Sequence, residues 1–223
     1  MLTEKAYSSK KVFKKAVFNM AFQIVPIAFA LVLTPYLINN MGKDAWAKYS
    51  LGISLIFLAN YFSFGIGPTL NRRISGLIGS HKFSIITKEL KTGVAFSYGL
   101  AFLFFAILQL ALITAYQSRG FSVLQSVQDY GVFVVSLLSF VLVLITIPYR
   151  STLESFSDFY FLGAIRALSS SMLFIVPFVA TYFLKASLMF IAGALLLFYV
   201  LVYFGYFLRV RGKQNAFEFT IDP

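Results

Sequence analysis

The chain has 223 residues, of which 59% are hydrophobic and only 12% charged, and its mean hydropathy is +0.82. So few polar side chains cannot cover a water-exposed surface, which excludes a soluble globular domain and assigns an integral membrane protein. The net charge of +11 does not point to nucleic acid, because the basic residues stand beside apolar blocks and accompany no recognised nucleic-acid module; membrane lipids with anionic headgroups are the partners it fits.

The apolar blocks lack the period-2 alternation of a membrane barrel, and backbone in hydrocarbon must bond internally, so each block is predicted to be a helix. Six are expected, over about 15–39, 46–66, 92–116, 131–149, 161–184 and 187–208. The predicted fold class is therefore all-α, a polytopic bundle of six transmembrane helices, with residues 1–223 forming a single transmembrane unit.

The first block follows a basic start and superficially resembles a signal peptide. It is too long for one, carries Asn19, Gln23, Pro26 and Pro35, and lacks a small-x-small cleavage site, so it reads as a retained helix. Asn19, Gln23, Pro26, Ala30 and Thr34 fall on one helical face. After the second block, residues 67–91 open with Gly67-Pro68 and read as an amphipathic connector at headgroup level, with Ile74, Leu77, Ile78 and Phe83 facing lipid. His81 lies in it without metal-ligand spacing and reads as an ordinary interfacial residue. In the third block Tyr98, Gln109 and Tyr116 form a second polar stripe. The loop 150–160 then places Glu154 and Asp158 just before the fifth helix, where carboxylates favour a helix N-terminus. The fifth block carries a third stripe, Arg166, Ser170, Pro177 and Thr181. Tyr36, Trp46, Tyr49, Tyr116, Tyr130, Tyr149 and the Phe159-Tyr160-Phe161 run stand where interfacial aromatic anchors belong.

With both termini cytoplasmic, Lys43, Lys48, Arg119 and Lys185 are the only Lys and Arg residues outside, and the other basic residues satisfy the positive-inside rule.

Polar residues inside spans are costly against lipid and usually face other helices or a water-filled cavity, so the three stripes are expected to share an interior. Ser169, Ser170 and Ser171 fit close helix packing, whereas Asn19, Gln23 and Gln109 are candidates for a polar cavity. Pro26 and Pro177 lie mid-span, where each removes a helix hydrogen bond; a hinge and a static kink are both open. Arg166 either snorkels to the interface or joins Arg72, Arg73 and Arg150 in a basic mouth that would take an anionic group such as a pyrophosphate, which guanidinium binds bidentately.

The predicted spans hold no Asp or Glu, which disfavours a carboxylate proton or sodium relay. No P-loop, dinucleotide fingerprint, Ser/His/Asp set or Asp-x-Asp pair is present, and cysteine is absent altogether. An enzyme is not expected, and no cofactor or metal is called for.

Three segments carry a family resemblance. The first helix ends Thr34-Pro35-Tyr36-Leu37-Ile38, followed by Met41-Gly42 and then Trp46 to Ser50. The second exits through Phe62-Ser63-Phe64-Gly65-Ile66-Gly67-Pro68 into Thr69-Leu70-Asn71-Arg72-Arg73-Ile74, and Pro148-Tyr149-Arg150 leads through Leu153-Glu154 to Asp158-Phe159. Together these resemble the N-terminal half of bacterial polysaccharide flippases of the O-antigen type, within the multidrug/oligosaccharidyl-lipid/polysaccharide exporter superfamily. Ala47 and Phe64 depart from that pattern, standing where a glycine and an acidic residue are common. The resemblance implies a truncated half of a two-bundle transporter in the bacterial inner membrane. It would move an undecaprenyl-pyrophosphate-linked oligosaccharide between leaflets by alternating access, with a second six-helix bundle or other polysaccharide assembly proteins as partners. The alternatives are a multidrug-exporter fragment, a membrane-embedded polymerase or glycosyltransferase on the same carrier, and a non-catalytic partner in an assembly complex.

Overall fold

A computed structural model of the chain describes residues 22, 24–62, 64–79, 83–118 and 126–218, with the side chains of 79, 83, 84 and 214–218 left aside. Asn19, Gln23, His81, the start of the predicted 15–39 span and the Phe83 side chain lie outside what it describes. The described residues form an all-α bundle: α1 (Ile24–Met41), α2 (Lys43–Tyr61), α3 (Ile66–Gly79), α4 (Phe83–Gln117), α5 (Val127–Ser155), α6 (Phe159–Tyr182) and α7 (Leu188–Glu218). Five of these are long and apolar enough to cross a membrane, and α2 with α3, bent by 41°, makes a sixth candidate span. The chain is a multi-pass membrane protein.

The boundaries follow local chemistry. Gly42, at φ 84°, turns α1 into α2, and Gly65, at φ 73°, lies in the break between α2 and α3, a backbone conformation glycine adopts without a Cβ clash. Ser126 caps α5: its hydroxyl accepts from the Asp129 N–H while the Asp129 carboxylate accepts from the Ser126 N–H, a reciprocal capping box. Lys48 of α2 reaches that same carboxylate at 2.9 Å and Asp44 at 3.1 Å, pinning α2 to the start of α5.

Helix α5 is the hub, in contact with α2, α3, α4, α6 and α7. Close approach depends on small residues, as membrane packing requires. A Cβ at Gly52 would lie 2.7 Å from Ser136 Oγ, and one at Gly67 3.0 Å from Ser151 Oγ. The core runs the length of the bundle. Tyr49, Leu173, Ala180, Ile191 and Leu195 fill one end, Ala59, Ala101, Phe140 and Leu144 the middle, and Leu70, Ile74, Leu90, Leu153 and Val210 the end rich in Lys and Arg, called here the basic end.

Several expectations need correction. The described parts of the 67–91 stretch are helical, α3 and the first turns of α4, and the apolar face of α3 is turned inward: Ile74 is fully buried, and Leu77 and Ile78 pack against the same cluster. The physical reason is length. At about 1.5 Å per residue, the 35 residues of α4 and the 31 of α7 span far more than the roughly 30 Å hydrocarbon layer, so their ends project and supply protein for α3 to pack on. Two expected interfacial anchors, Tyr49 and Tyr149, are buried in the core instead.

Candidate polar cavity at the basic end

Four helices present one face each to a cavity of about 110 Å³. The pattern is helical spacing: Phe57 and Asn60 from α2, Thr146 and Arg150 from α5, Arg166, Ser169, Ser170 and Leu173 from α6, Tyr199 and Tyr206 from α7. The walls are partly apolar, and the chemistry is concentrated in two arginines.

Arg150 and Arg166 converge on a single carboxylate. Arg166 donates from Nη2 to Glu154 Oε1 at 2.9 Å, and Arg150 Nε stands 3.6 Å from the same oxygen, an ionic contact too long for a hydrogen bond. The Nε atoms of both are buried without a hydrogen-bond acceptor. Two guanidiniums against one carboxylate leave the cluster with one excess positive charge and unsatisfied donors, an arrangement suited to a multivalent oxyanion. Glu154 was expected to serve the start of the next helix. It lies instead on the last turn of α5, where its side chain bridges α5 to α6. Asp158 does occupy the N-cap position of α6, but makes no side-chain cap bond; its carboxylate accepts from Arg209 Nε at 2.8 Å and lies 3.8 Å from Lys213 Nζ. An opposite charge across a helix gap competes better for a carboxylate than the helix's own N–H groups do. Arg209 also lies over the Phe161 ring, 5.4 Å from its centroid.

The proposed four-arginine mouth divides in two. Arg72 and Arg73 lie exposed on α3 and do not line this cavity; Arg73 pairs with Glu89 of α4 at 3.2 Å. Gln109 is also elsewhere: its side-chain amide meets the Tyr130 hydroxyl between α4 and α5, with the Tyr116 and Tyr130 rings 5.3 Å apart. Its Oε1 is buried without a partner. Tyr98 pairs with the Tyr203 hydroxyl at 3.3 Å. Among the described members of the three stripes, only those of α6 reach the cavity, through Arg166 and Ser170.

Pro177 is buried, and the carbonyl it frees is accounted for. Lacking an N–H, Pro177 cannot bond to the carbonyl of Leu173 four residues earlier. The hydroxyl of buried Tyr49 on α2 donates to that carbonyl. The acceptor that the proline leaves loose is thus held by a neighbouring helix and bonds α2 to α6. Pro26 lies at the beginning of the described part of α1, half-buried.

Asn60, Thr146, Tyr199 and Tyr206 belong to the cavity but are missing from the sequence-derived candidates. The signal was present, since Thr146 with Arg150, and Tyr199 with Val202 and Tyr206, repeat at three and four residues. Nothing in one helix tells which of its faces meets the others.

The chain has no match among models of protein families, among curated proteins or among solved structures.

Proposed function

We propose that the chain takes part in moving an undecaprenyl-pyrophosphate-linked oligosaccharide across the bacterial inner membrane, with Arg150 and Arg166 receiving the pyrophosphate. The observation that carries the reading is the pair of guanidiniums sharing Glu154 on the wall of a partly apolar cavity whose other polar lining includes Asn60, Thr146, Ser169 and Ser170. Arginine in this setting matches a pyrophosphate by charge and by planar, two-pronged hydrogen bonding, and the neighbouring hydroxyls and amide suit the first sugar. The polyprenyl tail needs no protein cavity because it is soluble in the surrounding hydrocarbon. Glu154 holds both arginines in place while the site is empty and yields when a stronger oxyanion arrives.

The test uses the purified chain in detergent micelles with two probes, undecaprenyl pyrophosphate and undecaprenol, which differ only in the charged group. Binding of the pyrophosphate form at least about tenfold tighter, with the preference lost in Arg166→Gln and Arg150→Gln, is the expected result, at about 1.4 kcal/mol per tenfold. Equal retention of the two probes by the unmodified chain would overturn the reading. Restoration of O-antigen in a flippase-deficient strain, with a second bundle supplied, then addresses transport itself.

A further inference from the structure

A second cleft at the basic end lies between α4 and α7, with a volume of about 400 Å³. Lys91 of α4 and Arg211 of α7 both line it, both are exposed, and Val94, Ala95, Tyr149 and Phe207 form an apolar wall. Two cations facing one groove repel each other, and proteins usually answer such a pair with a carboxylate. Among the residues whose side chains are described, the carboxylates are Asp44, Glu89, Asp129, Glu154 and Asp158, and each is already paired with Lys48, Arg73, Arg150, Arg166, Arg209 or Lys213. Lys91 and Arg211 have no acidic partner among the described residues.

Depth narrows the choice of anion. Lys91 immediately precedes the apolar block 92–116 and Arg211 follows the block 187–208 by three residues, so both cations stand at headgroup level while the wall of Val94, Ala95 and Phe207 continues toward the hydrocarbon. A ligand that satisfies both halves has a phosphate at one end and a chain at the other. We infer that this cleft is a seat for an anionic diacyl phospholipid, its phosphate bridging Lys91 and Arg211 and one acyl chain lying along Val94, Ala95 and Phe207. The site does not depend on the pyrophosphate reading of the other cavity: it uses different residues, and its ligand is a component of the bilayer. The bound lipid would join α4 to α7, two helices that otherwise meet over a short contact, and would couple the stability of the basic end to lipid composition.

The experiment follows thermal unfolding of the full chain in neutral detergent while phosphatidylglycerol or phosphatidylcholine is titrated in. Phosphatidylglycerol is expected to raise Tm saturably, and phosphatidylcholine is not. The double variant Lys91→Gln/Arg211→Gln should weaken the apparent affinity for phosphatidylglycerol by at least about tenfold. Ala95→Phe, at an exposed wall position, should weaken it with both charges intact, and Arg72→Gln, outside the cleft, should leave it unchanged. An equal response to both lipids, an undiminished response in the double variant or in Ala95→Phe, or an equal loss in Arg72→Gln would each overturn the proposal, the last by showing a diffuse surface-charge effect. Displacement of phosphatidylglycerol by undecaprenyl pyrophosphate with Arg150 and Arg166 both changed to Gln would overturn it too, by assigning the cleft to the carrier lipid.

Discussion

Helices α1 and α5 are both apolar and long enough to cross a bilayer, yet only 6% of the α1 window is buried in the protein against 56% for α5. The difference does not follow apolarity in any simple order: α4 is more apolar than α6, but 11% of its apolar window is buried against 28% for that of α6. In water an apolar residue must find the core, whereas in a bilayer lipid receives it equally well, so burial reports packing partners alone. Helix α5 has small and hydroxylated residues where neighbours approach, Ser136 opposite Gly52 and Ser151 opposite Gly67. The described part of α1 is fastened near its end, where Leu37 is fully buried and Tyr36 packs on Phe178 and Tyr182 at 5.0 and 6.2 Å between ring centroids.

That contrast can be broken most directly at the hub. Leu144→Ala, at a fully buried α5 position, should cost about 2–4 kcal/mol through lost packing contacts, measured by reversible unfolding in mixed micelles. A loss below about 0.5 kcal/mol would remove α5 from its central role.

The α2–α6 contact sharpens the comparison at smaller scale. Tyr49→Phe leaves the Leu173 carbonyl without its donor and should cost about 1–2 kcal/mol. Pro177→Ala returns an N–H to the helix, so in that background the same tyrosine change should cost less than half as much. Additive costs in this double-mutant cycle would show that the hydroxyl does not compensate for the proline.

At the other extreme, Leu31→Ala in α1, 72% exposed, should change unfolding by less than about 0.5 kcal/mol. A larger loss, growing with protein concentration, would mean that this face is covered by another chain instead of lipid.

The membrane class and the all-α nature of the described spans were legible in the sequence, because hydrocarbon forces long apolar segments to close their backbone hydrogen bonds internally and composition alone reports that constraint; the break at 62–65 inside the predicted 46–66 span was not. Arg166 was also recognisable as a costly polar group inside a span and Arg150 as a charge at the basic mouth, whereas Ser170 read as a packing residue. Which partner each would find was not legible. Glu154 could equally have served the next helix start, Ile74 could have faced lipid, and Gln109 could have joined the arginines. Those outcomes depend on how far α4, α5 and α7 extend beyond the bilayer and on which faces meet α5, distances across the bundle that a one-dimensional pattern of charge and apolarity does not contain. Tertiary packing decided them by placing two guanidiniums from α5 and α6 beside one carboxylate and leaving Lys91 and Arg211 facing a cleft with none among the described residues.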